Sequence, residues 1–84
     1  MDKVLILKIE FSKMLSEKEQ MDFWDLLIEE IENLQLRAGG GHDGFKLDWL
    51  IDYSDSSLNK SEITDRLRDV LLTNDKLILN FEIK

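Results

Sequence analysis

His42 is the only histidine of the chain, and it lies within Ala38-Gly39-Gly40-Gly41-His42-Asp43-Gly44, the segment that holds all four glycines. A histidine exchanges protons near neutral pH, and an aspartate beside it invites an acid–base pair. Glycine-rich backbone offers a second chemistry, because bare N–H groups can converge on a phosphate. Neither signal is strong. Adjacent residues rarely face each other, and no serine or cysteine arrangement accompanies the histidine. Phosphate-binding glycine loops aim a following helix at the anion and close on Gly-Lys-Ser or Gly-Lys-Thr, whereas this one runs into an alternating, strand-like stretch. The expectation is a flexible hairpin connection with Asp43-Gly44 supplying positive φ angles. Gly39, Gly40, Gly41, His42 and Asp43 then form a loop placed to touch a macromolecular partner. No catalytic residue, cofactor site or metal site is assigned.

Carboxylates are the other reactive groups. Glu10, Asp48, Asp52 and Glu82 share one face of the expected sheet, a set that suits a hard cation or a general acid–base pair. Lys8, Lys46 and Lys84 share that face, so a solvated ladder of alternating charge is the expectation. No loop has the spacing of a calcium site, and one histidine without cysteine lacks zinc spacing. Asp22, Asp25, Glu29 and Glu32 form the solvated back of the first helix, a second surface for a basic partner.

These groups are positioned by six elements read from periodicity. Lys3 to Phe11 alternates, with Leu5, Leu7, Ile9 and Phe11 facing inward. Ser16 and Glu19 make a capping box for a helix whose apolar arc is Met21, Phe23, Trp24, Leu27, Ile28, Ile31 and Leu34. Leu34 to Arg37 is expected as an edge strand before the glycines. Phe45 to Tyr53 alternates again, with Phe45, Leu47, Trp49, Ile51 and Tyr53 inward. After a polar loop, Asn59 or Ser61 caps a second helix carrying Ile63, Leu67, Val70 and Leu71, with Asn74 as a left-handed end. Lys76 to Lys84 is the last strand, with Leu77, Leu79, Phe81 and Ile83 inward.

The order β-α-β-β-α-β in 84 residues implies a single α+β domain. It predicts the ferredoxin-like sandwich, a four-stranded antiparallel sheet in order 4-1-3-2 with two helices on one face. The first and third strands are expected to pair through Phe11–Phe45, Ile9–Leu47, Leu7–Trp49 and Leu5–Ile51 inside, and Glu10–Lys46, Lys8–Asp48 and Ile6–Leu50 outside. RNA-binding sheets of this topology stack bases on outward aromatics of these central strands; none faces outward here. Val4, Ile6, Leu50 and Ile78 form a small apolar patch on the same face, a candidate sheet-to-sheet dimer contact.

A net charge of −7 repels a phosphate backbone on average, which disfavours direct nucleic-acid binding. Cysteine is absent, so there is no disulfide framework. The apolar run Val4–Leu7 is too short for a secretory signal or a membrane span, and cytoplasmic residence is expected.

The string Leu34-Gln35-Leu36-Arg37-Ala38-Gly39-Gly40-Gly41, followed after a short gap by Trp49-Leu50-Ile51, resembles the YggL family of 50S ribosome-binding proteins. An acidic first helix, a helix at Glu62–Leu72 and a final strand extend the similarity over most of the chain. The resemblance implies a non-enzymatic binding protein that engages the large ribosomal subunit through protein contacts. Its contact surfaces would be the glycine segment with His42 and the acidic back of the first helix. The competing expectation is a small ligand-binding or regulatory module that dimerises through the open sheet face; the chain is expected as a monomer or a homodimer.

Overall fold

The computed structural model describes residues 3–84. They form β1 (Val4–Phe11), α1 (Glu17–Asn33), β2 (Arg37–His42), β3 (Lys46–Asp52), α2 (Lys60–Thr73) and β4 (Ile78–Ile83). The four strands make one antiparallel sheet in order β2-β3-β1-β4, which is 4-1-3-2 counted from the other edge. The period-two pattern of β1 and β3 does what it predicts. Ile9–Leu47, Leu7–Trp49 and Leu5–Ile51 pair on the buried face; Glu10–Lys46, Lys8–Asp48 and Ile6–Leu50 pair on the open one.

Both helices start on reciprocal caps. The Glu19 N–H donates to Ser16 Oγ at 3.1 Å while the Ser16 N–H donates to the Glu19 carboxylate at 3.0 Å. Asn59 and Glu62 repeat the arrangement for α2. The buried stripe of α1 is Phe23, Leu27 and Ile31, and that of α2 is Ile63, Leu67 and Leu71. These side chains share one core with the inward residues of β1 and β3, and the Phe11 and Phe23 rings meet edge to face at 5.6 Å. The stripe of α1 is narrower than the expected arc: Met21 and Ile28 are exposed, because a helix of this radius seats only its central i, i+4, i+8 row on a sheet this small.

Four further expectations are corrected. Leu34–Leu36 is a helix stop rather than a strand. Gln35 takes φ 61°, its N–H donates to the Glu32 carbonyl, and the Leu36 N–H donates to the Ile31 carbonyl at 2.9 Å. This is a Schellman motif with glutamine where glycine is preferred. Gln35→Gly is therefore expected to raise stability by roughly 0.5–1 kcal/mol, read as a higher urea midpoint at unchanged slope. The edge strand begins only at Arg37 and runs through the glycines to His42. Asn74 is right-handed, with φ −111°; it closes α2 by donating Nδ2–H to the Val70 carbonyl at 2.9 Å.

Leu79 is the third chain position to depart. The ladder shifts between Glu10 and Phe11, so that Glu10 pairs with Asn80 but Phe11 with Ile78. The extra residue, Leu79, is expelled to 67% exposure, while Ile78 packs on the core. The outward apolar patch thus loses Ile78 and keeps Val4, Ile6 and Leu50. Phe45 is the fourth. It lies one residue before β3 and is 50% exposed. The core already ends at Leu15, whose N–H donates to the Gly44 carbonyl at 3.0 Å.

Candidate functional site

β2 is an edge strand, and all six of its residues are exposed. Its pairing places Ala38 opposite Ile51, Gly40 opposite Trp49 and His42 opposite Leu47. Partners directly opposite share a face, so Ala38, Gly40 and His42 turn toward the helices. Arg37, Gly39 and Gly41 turn toward the open face. The expected glycine loop is thus extended strand, and His42 is its last residue. An extended run sends successive N–H groups to opposite edges, so they do not converge on an anion.

The turn belongs to Asp43. Its Oδ1 accepts from the Phe45 N–H at 2.7 Å and the Lys46 N–H at 2.8 Å, and its own N–H donates to the Lys46 carbonyl at 2.8 Å. The only glycine with positive φ is Gly40; Gly44 is instead packed against Met14 and Leu15. The two donated N–H groups hold the Asp43 carboxyl below the ordinary aspartate range. A depressed folded pKa contributes stability above the unfolded value and loses it as pH falls through the folded one. Asp43→Asn keeps an Oδ1 that can accept both bonds but cannot titrate. The expected result is near-native stability at pH 7 and a shallower loss between about pH 4 and pH 2, read by urea unfolding across that range.

With Asp43 committed to the turn, His42 is not oriented by it. The His42 ring lies against Trp24 of α1 at 3.9 Å between centroids, tilted by 52°, and 6.0 Å from Trp49 of β3. The three rings come from three elements, and two of them, His42 and Trp49, line a groove of about 400 Å³ between α1 and β2 together with Ile28, Ile31, Glu32 and Leu36 among others. Trp24, Ile28 and Ile31 follow the i, i+4, i+7 spacing of one helix flank. The Trp24 indole nitrogen is buried and finds no acceptor among the described residues, an arrangement that costs roughly 1–3 kcal/mol. Sequence reasoning placed both tryptophans inward but missed their meeting with His42, because it read that residue as loop.

The acidic back of α1 stands where expected: Asp22, Asp25, Glu29 and Glu32 are exposed. The last turn of α1 contains no basic residue, although it carries Glu30 and Glu32. Carboxylates at a helix C-terminus face the negative end of the macrodipole, at a cost of roughly 0.3–1 kcal/mol each. The nearest cation on β2, Arg37, is held by Asp55 at 2.9 Å. Glu32 also lines the groove, so the acidic helix face and the glycine strand, expected as separate surfaces, meet at this residue.

The open sheet face is different. Its shallow depression of about 310 Å³ is lined by Lys8, Glu10, Lys46, Asp48 and Glu82, with opposite charges cross-strand and a Lys84–Glu82 ion pair at 2.7 Å. Among the described residues no three histidine, aspartate or glutamate side chains are grouped to hold a metal ion. No helix there is long and apolar enough to cross a membrane. No protein-family model matches the chain, and no curated protein matches it.

Proposed function

We propose that this chain is a non-enzymatic binding protein whose α1–β2 face receives a basic macromolecular partner. One observation carries the reading: three features that weaken the fold gather on that single face. These are the uncompensated carboxylates at the end of α1, an edge strand with three consecutive glycines, and a buried indole N–H without an acceptor. A chain breaks its own local rules where function asks for it. His42 adds to the reading by packing between rings, and Asp43 by spending its carboxylate on the turn. The resemblance to YggL proteins makes the large ribosomal subunit, in the cytoplasm, the partner to test first. Net acidity favours contact with its basic proteins over its RNA.

The test is sedimentation of host lysate through sucrose. The chain is expected to travel with the large subunit, and the double change Glu29→Lys, Glu32→Lys should release it. The same change relieves the helix end, so thermal stability should hold or rise by up to about 1 kcal/mol. Co-sedimentation that survives the double reversal would remove this face from the interaction. A free peak of twice the monomer mass would favour the alternative, a dimer through the open sheet. Leu50, 56% exposed and paired with Ile6, is the observation that keeps that alternative alive.

A further inference from the structure

We infer that β2 takes up its partner by strand addition: an extended basic segment of about six residues pairs with the free edge and inserts an apolar side chain into the α1–β2 groove. The inference rests on the proposed basic-partner reading of this face and specifies its mode.

The geometry follows from hydrogen-bond parity. The Asp43 N–H bonds the Lys46 carbonyl, so in this register the residues that bond β3 are the odd ones, Arg37, Gly39 and Gly41. The N–H and C=O groups of Ala38, Gly40 and His42 therefore point away from the sheet. Among the described residues no strand lies beyond β2. A free edge of this kind is a template for another chain, and sheet proteins normally blunt it with lysine, proline or bulky cover. Here the edge residues carry a methyl, a hydrogen and an imidazole turned aside against Trp24. Nothing lies within 4 Å of a Cβ placed on Gly39 or Gly41, so approach is open on the other side as well.

The occupant is set by charge and by the groove. Side chains of an added strand alternate, one set toward the open face and one toward the helices. The second set meets a floor of Ile28, Ile31, Leu36 and Trp49 with Glu32 at its rim. An apolar residue fits the floor, and lysine or arginine beside it meets Glu29 and Glu32. A second copy of this chain is disfavoured as occupant: pairing β2 with β2 would bring two molecules of charge −7 together with their acidic helices side by side. Strand addition supplies affinity through main-chain bonds and specificity through alternate side chains.

The probe is a fluorescent seven-residue peptide of alternating lysine and valine with a central leucine, read by anisotropy at low salt. Two backbone N-methylated versions block alternate N–H groups, one version for each parity. Binding is expected for the parent and for one methylated version, with the other weakened about tenfold or more. Ala38→Pro removes one edge donor at a position where proline is tolerated, and should weaken binding similarly with an unchanged circular-dichroism melt. Amide protons of Ala38, Gly40 and His42 should exchange more slowly in the complex. If both methylated peptides bind like the parent, strand addition is wrong. Should Glu29→Lys, Glu32→Lys still abolish that binding, the basic-partner reading survives alone. No binding of the parent peptide overturns the inference, whereas the sedimentation test continues to judge the broader reading. A dimer of the unliganded protein that Ala38→Pro dissolves would put a second copy on the edge and overturn it too.

Discussion

Gly40→Ala is expected to destabilise the domain by about 2–4 kcal/mol, while Gly39→Ala and Gly41→Ala stay neutral or gain up to about 1 kcal/mol. The three residues are consecutive and chemically identical, so only their surroundings separate them. Gly40 sits at φ 150°, and a Cβ there would lie 2.9 Å from the Trp49 Cα and overlap the Asp48 carbonyl oxygen. Both neighbours are backbone atoms of the adjoining strand, which cannot rotate away. Relief would require β2 to peel from β3. Gly39 and Gly41 have no such φ and no atom within 4 Å of the added carbon. There alanine mainly restricts the unfolded chain. A domain of 84 residues has about 4–13 kcal/mol in total, so the Gly40 variant should be visibly depleted of native structure at modest urea. Urea midpoints for the three single variants read the difference. Equal midpoints would mean that β2 does not press on β3 as described, and the parity that turns Ala38, Gly40 and His42 to the free edge would fall with it.

The contrast among these glycines also marks what could be read without coordinates. β1 and β3 were legible because large apolar residues alternate through them with charged ones, and a period of two has a single solution when one face is buried. The cross-strand register followed from the same parity, down to Lys8 opposite Asp48. The cap at Ser16–Glu19 was legible because both halves of the motif are written three residues apart. β2 was not, because glycine carries no side chain to display a period and has low strand propensity. It is extended since β3 offers an unpaired edge and Gln35 turns the chain onto it, and both causes lie outside the segment. Leu79 and Ile78 exchanged places because β4 bulges at Leu79, opposite the Glu10–Phe11 step of β1, and one extra residue reverses the parity of everything before it. Phe45 had the right parity but stood one residue beyond the element to which parity applies. The site inherited these errors. Trp24 and Trp49 were assigned the correct side, yet the groove needs His42 on the same side, and a residue read as loop has no side to assign.

Phe23→Ala is expected to cost about 3–5 kcal/mol, and Trp24→Phe, at the very next position, less than about 1 kcal/mol. Successive helix residues point about 100° apart, and here that rotation separates core from groove. Phe23 is almost wholly buried and meets Phe11 edge to face. Removing its ring leaves a void beside Phe11 in the shared core, where buried side chains collapse only in part. Trp24 is only partly buried, and its indole nitrogen finds no acceptor among the described residues. Phenylalanine keeps an aromatic face toward His42 while deleting the orphan donor, so the two changes offset. Thermal melts followed by circular dichroism read both variants, and the loss of Trp24 leaves Trp49 as the sole fluorophore of its kind to report on the groove. A Trp24→Phe variant that melts as early as Phe23→Ala would show that the rings around His42 hold the domain together. The groove would then be an extension of the core, and the case for a partner on α1 and β2 would rest on the carboxylates and the free edge alone.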